Sequence, residues 1–173
     1  KNRFPLILAG DHSSAGGTIA GIKKANPDKR LGVIWIDAHA DLHSPYTSPS
    51  GNVHGMPLAT ALNIDNEDHK IKELELEVIE TWEKLKNVGG IAPKINPKDL
   101  VFIGVRDTEE SEDYFIANNS IHNVSVEYVR RNGVEQVSAE VLDYLKECDI
   151  LYLSFDVDSM DCDLVSYGTG TPV

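Results

Sequence analysis

Leu31 to Asp41 reads LGVIWIDAHAD. Its first six residues form a short, almost wholly apolar run, the signature of a strand buried on both faces of a parallel sheet. Apolar character stops at Asp37, and two more ionisable residues follow at His39 and Asp41. Side chains alternate along extended backbone, so Asp37, His39 and Asp41 are expected on one side. Turn chemistry is the plain alternative, since Asp and His are common where strands become loops. Three unpaired ionisable groups converging on one spot are costly, however, unless a metal satisfies them.

The pattern recurs twice. Phe4 to Ala9 (FPLILA) precedes Gly10-Asp11-His12-Ser13, and Ile150 to Phe155 (ILYLSF) precedes Asp156-Val157-Asp158. In α/β sheets, ligands gather beyond the carboxyl ends of the strands. Three separate segments thus deliver His12, the Asp37–Asp41 run and the Asp156–Asp158 run to one edge. His12 alone would read as structural; beside the other two clusters it reads as a ligand. Mixed carboxylate and imidazole donors suit a pair of divalent metals, commonly a hydrolytic device. The twelve-residue calcium-loop pattern is absent. So are the G-x-S-x-G elbow and the glycine-rich phosphate motifs.

The remaining chain alternates helical and strand patterns. A helix to about Asn26 is expected, capped by Ser13 or Ser14. Gly16 and Gly17 would be tolerated in it where a neighbouring backbone approaches closely. Residues 38–52 form a long loop, a length that points to function. Pro57 opens a helix through Leu62, and a helical repeat covers Ile71 to Val88. A strand follows at Leu100 to Val105, a helix at Glu109 to Asn118, and a short strand at Ile121 to Ser125. Ser125 can cap a helix over Val126 to Arg131, and Ser138 one through Glu147. The fold class is α/β with a mostly parallel sheet. His54, at the end of the long loop, lies outside the ligand spacing and is a candidate acid–base group. His43, His69 and His122 have weaker claims.

With 41% apolar and 25% charged residues, the 173-residue chain is one domain's worth of globular material. A formal net charge of -12 argues against nucleic acid and anionic membrane as partners and suits a cationic ligand. Two cysteines, Cys148 and Cys162, make no disulfide framework, which points to a reducing, cytoplasmic setting. No stretch approaches a membrane span or a signal peptide. Both ends read as cut, so one domain over 1–173, continuing past Val173, is the expectation.

Taken in order, Gly10-Asp-His-Ser13, Asp37-Ala-His-Ala-Asp41 and Ser154-Phe-Asp-Val-Asp158 with Thr169-Gly-Thr-Pro172 resemble the ureohydrolase family. That family holds arginases, agmatinases, guanidinobutyrases and formimidoylglutamases, and Ser50-Gly-Asn-Val-His-Gly-Met-Pro-Leu58 looks most like the arginases. The resemblance covers nearly the whole chain. It implies a three-layer α/β/α sandwich, truncated here on its C-terminal side, with two manganese ions as cofactors. His12, Asp37, Asp41 and Asp156 would hold one ion and His39 and Asp158 the other, with Asp37 and Asp156 bridging. His54 and Asp41 would be catalytic in hydrolysing L-arginine to L-ornithine and urea. His43, Ser50, Glu109, Glu112 and Thr171 would meet the substrate. A homo-oligomer, trimer or hexamer, is implied for the full-length protein. Agmatinase or formimidoylglutamase activity on the same centre is the alternative, or a non-catalytic metal-binding homologue. The chain departs from the arginase pattern at His43, where asparagine is usual, at Glu109, where aspartate is usual, and at Asp161-Cys-Asp163. The family's guanidinium-binding glutamate would lie beyond Val173.

Overall fold

The computed structural model describes residues 4–165 and 170–173. Four strands form a parallel sheet: β1 (Leu31–Ile36), β2 (Leu100–Ile103), β3 (His122–Val124) and β4 (Ile150–Phe155), in the order β3-β2-β1-β4. Val33 faces Leu100 across one ladder and Tyr152 across the other, while Val101 faces His122. The central strand β1 therefore ends its apolar run beside the ends of β2 and β4, and Asp37 and Asp156 emerge together.

Alternation along the strands sorts the core into two sides. Leu31, Val33 and Trp35 of β1 and Leu100 and Phe102 of β2 pack with Ala15 and Ile19 of α1 (Ser13–Ala25) and with Leu58, Ala61 and Leu62 of α2 (Pro57–Leu62). Phe115 and Ile116 of α4 (Glu110–Asn118) close that side. On the other face, Ile34, Val101 and Val124 meet Val137 and Val141 of α6 (Val134–Tyr144) and Val129 of α5 (Val126–Asn132). Helix α3 (Leu76–Lys86) rides outside α2, with Trp82 against Met56 and Ala59. Helix, sheet and helix make the three-layer α/β/α sandwich that the family resemblance implied.

Several local expectations change. Phe4 to Ala9 is not a strand: Phe4 is 89% and Leu8 90% exposed, and the run takes part in no ladder. An apolar run becomes a strand only where a neighbour's N–H and C=O groups meet it, and among the described residues no strand does so here. Neither Ser13 nor Ser14 caps α1: His12 stands at the cap without a side-chain bond, and Asp11 Oδ1 just before it accepts the Ser13 N–H at 2.8 Å. Residues 71–75 stay outside α3. Helix α6 starts at Val134, four residues before Ser138, with Gly133 at φ +83 as its cap. A Cβ on Gly16 would meet Thr60 Oγ1 at 2.9 Å and Pro57 Cα at 3.6 Å, a close approach of α1 to α2, whereas Gly17 faces open space.

Candidate metal centre and substrate cleft

His12 stands at the head of α1, with its ring stacked on Trp35 at 4.0 Å and an interplanar angle of 11°. Its Nε2 lies 2.7 Å from Ser154 Oγ, which fixes the ring so that Nδ1 points into the crevice. There Nδ1 meets Asp37 Oδ2 and Asp41 Oδ2, each at 3.0 Å, and Asp156 Oδ2 at 3.1 Å. One N–H cannot donate to three carboxylates. Both His12 Nδ1 and Asp37 Oδ2 are buried without a well-formed hydrogen-bond partner. Three anionic oxygens and a ring nitrogen around one point are the donor set of a divalent cation, and the orphaned buried atoms fit one.

A second group lies alongside. His39 Nδ1 is 3.0 Å from Asp158 Oδ2 and 3.7 Å from Asp37 Oδ1. His12, Asp37 and Asp41 on one side, and Asp37, His39 and Asp158 on the other, each gather three donor atoms close enough for one ion. Asp37 belongs to both. Asp156 turns its Oδ2 to His12, while its Oδ1 accepts the Asp158 N–H at 3.0 Å.

The backbone reason differs from strand alternation. Asp41 has φ +51, a left-handed conformation that Asp tolerates better than most residues. The chain turns there, bringing Asp41 back toward His12 while His39 faces Asp158. The turn is held by the Leu58 N–H on Asp41 O at 3.1 Å and the Leu42 N–H on Glu112 Oε1 at 3.0 Å.

Electrostatics follow from this crowding. Burial would lower the His12 pKa, but Asp156, Asp37 and Asp41 outweigh it and push it up to about 12. Asp158 and then Asp37 raise His39 to about 11. Burial raises Asp41 to about 7. Asp37 is lowered: burial opposes this, but the histidine partners prevail. Asp156 is lowered chiefly by His12. Without metal, imidazolium supplies the positive charge that the carboxylates require.

The centre opens into a cleft of about 520 Å³. Among the described residues its lining holds eight carboxylates, four histidines and no lysine or arginine, so it favours a cation. Ser50, Glu109, His43 and His54 line it; His54 sits exposed in the 3₁₀ turn Val53–Gly55. Glu109 and Glu112 form a capping box at the start of α4, with the Glu109 N–H on Glu112 Oε2 at 3.1 Å. His43 Nε2 faces both carboxylates, 3.7 Å from Glu109 and 3.6 Å from Glu112, and its Nδ1 is 3.0 Å from Thr47 Oγ1. Thr171 Oγ1 lies 3.5 Å from His39 Nε2 and 3.3 Å from Asp107 Oδ2. Thr169 of the same motif is outside the described residues. His69 is half-buried and packs on Tyr114, and His122 begins β3; neither lines this cleft.

Sequence reasoning missed Asp107, which lines the cleft 3.6 Å from His39 Nε2, and Asp11. It also gave no role to Ser154, although a lone hydroxyl in an apolar strand, two residues before Asp156, was a signal.

Residues 1–173 match the family model described as Arginase family. The arginase of Bacillus subtilis (strain 168) is 43% identical over 173 residues, covering 100% of this chain and 52% of that protein. The arginase of Bacillus caldovelox is 43% identical over 174 residues, again 100% and 52%. A crystal structure of arginase from Bacillus subtilis superposes with a TM-score of 0.80 at 43% identity, covering 99% of this chain and 54% of that one. The chain spans about half the length of the curated relatives it matches.

Proposed function

Because the chain belongs to the arginase family, we propose that it carries the metal centre and much of the substrate cleft of a hydrolase that converts L-arginine to L-ornithine and urea. The observation that carries this reading is the convergence of Asp37, Asp41 and Asp156 on His12 Nδ1, beside a second donor group that shares Asp37. The Bacillus subtilis and Bacillus caldovelox relatives at 43% identity are arginases by name, and the acidic cleft suits a guanidinium.

His12, Asp37, Asp41 and Asp156 would hold one manganese ion, and Asp37, His39 and Asp158 the other. When bound, such a pair makes water a stronger acid and stabilises charge at the reacting carbon. Asp41, buried at the head of the cleft, would accept a proton from the attacking water. His54, at the cleft wall, delivers a proton to the departing amine. Glu109, half-exposed on the cleft, pairs with the substrate's α-ammonium, while the buried Glu112 braces it through the capping box. Ser50 and His43 face the carboxylate end, and Thr171 borders His39.

The test is urea release from arginine and from agmatine, which lacks the α-carboxylate, by the full-length protein. Arginine is expected to be favoured by at least about 100-fold in kcat/KM, because polar site groups go unpaired with the shorter analogue. Equal or better turnover of agmatine removes the arginase reading and leaves a ureohydrolase. No urea from either removes both.

A further inference from the structure

Arg106 occupies the middle of the carboxyl edge of the sheet without being a ligand or lining the cleft. A guanidinium has five N–H donors, and here all five meet backbone carbonyls. Nε donates to Pro172 O at 3.0 Å, and Nη1 to Gly104 O at 3.0 Å and Ser159 O at 3.3 Å. Nη2 donates to Asp158 O at 3.2 Å and Thr171 O at 3.1 Å. The backbone N–H groups of Arg106 and Asp107 both reach Ala38 O, at 2.9 and 3.0 Å.

We propose that Arg106 is a positioning residue: it locks the Asp158–Ser159 turn and the Thr171–Pro172 segment against the Asp37–His39 run. It thereby sets the half of the centre built from Asp37, His39 and Asp158. Ala38, held by the Arg106 backbone, gives its own N–H to Asp158 Oδ1 at 3.2 Å, so the side chain and main chain of one residue grip both sides of the His39–Asp158 pair. The Thr171 carbonyl sits on Nη2 while its hydroxyl borders His39 Nε2. The other half, His12 with Asp41 and Asp156, shares no hydrogen bond or ion pair with the guanidinium among the described residues. The planar fork is what the role needs; a lysine ammonium offers three donors from one point and cannot span segments this far apart.

This inference rests on the metal-centre reading, and the test separates the two. Arg106→Met and Arg106→Lys are made in the full chain, and Mn2+ alone is titrated by equilibrium dialysis. Hydrogen exchange of the Asp158 and Ser159 amides, which donate to Asp156 Oδ1 and O, is followed in metal-free protein. For Arg106→Met one ion is expected to bind as in the parent and the second about 10–100-fold more weakly, the usual cost of losing a group that orients a ligand. Arg106→Lys should lose less, and exchange at Asp158 and Ser159 should quicken in both variants, most in Arg106→Met. If Arg106→Met does not fold, the lysine variant carries the same asymmetry. Two ions in the parent with both weakened equally, or neither, overturns the role of Arg106 alone. So does unchanged exchange at Asp158 and Ser159. No Mn2+ binding by the parent overturns the metal-centre reading, and the assignment to one half of the centre falls with it.

Discussion

Nδ1 of His12 faces three carboxylate oxygens within 3.1 Å and can give a proton to only one of them. Trp35 on the ring's face and Ser154 behind it hold Nδ1 at that point. Ser154→Ala removes the group that orients the imidazole. It is expected to weaken Mn2+ binding by about 10–100-fold, as loss of an outer hydrogen bond to a ligand does; a metal titration showing unchanged affinity would speak against it. His54 should behave differently. His54→Asn should retain its metal while kcat falls by roughly 10²–10⁴, the range for a general acid or base. Metal loss in that variant would make His54 a ligand instead, and an unchanged kcat would make it a bystander. The named ligand candidates were legible in the sequence because each follows an apolar run; two of those runs are strands, while the one before His12 is not. Asp107 was not, because nothing local marks the residue after Arg106 as facing His39.

Elements were legible where one local signal decides them. Ser125 caps α5, with its Oγ accepting the Tyr128 N–H at 3.1 Å, and Pro57 opens α2. They were illegible where tertiary partners decide. Phe4 to Ala9 has the composition of a core strand, yet it pairs with nothing among the described residues. At the Asp41 turn a period-two pattern concealed a left-handed residue. Packing between elements offers its own test at Gly89, just past α3. Its φ is +88, and a Cβ there would sit 3.1 Å from Ala20 O in α1, a backbone atom that cannot swing aside. Gly89→Ala is expected to cost about 1–3 kcal/mol, the usual penalty for a side chain in left-handed backbone. A urea midpoint equal to the parent's would show that α1 and α3 yield more easily than their geometry implies.

At the scale of the molecule, the acidic cleft couples stability to pH. A group whose pKa is raised on folding adds stability that is complete below its unfolded value and is lost as pH climbs through the folded one. For His12 and His39 that decline runs from 6.5 to about 12 and about 11, and for Asp41 from 3.8 to about 7. The lowered groups, Asp37 and Asp156, contribute fully above 3.8 and add no slope at neutral pH. Metal-free protein should therefore have a lower urea midpoint near pH 9 than near pH 6. Metal affinity should rise over the same span, since binding displaces the imidazole protons. A midpoint that rises with pH in the presence of chelator would contradict the pairing.

The shared carboxylate of Asp37 makes the two donor groups one centre, and metal stoichiometry tests it most directly. Elemental analysis after Mn2+ loading and dialysis should give about two ions per chain for the parent, the complement of a two-metal hydrolytic site. Asp158→Asn should keep the ion on the His12 side and lose the other, whereas Asp37→Asn should lose both. One ion or none in the parent, or an Asp37→Asn protein that keeps two, would contradict a binuclear centre built around Asp37.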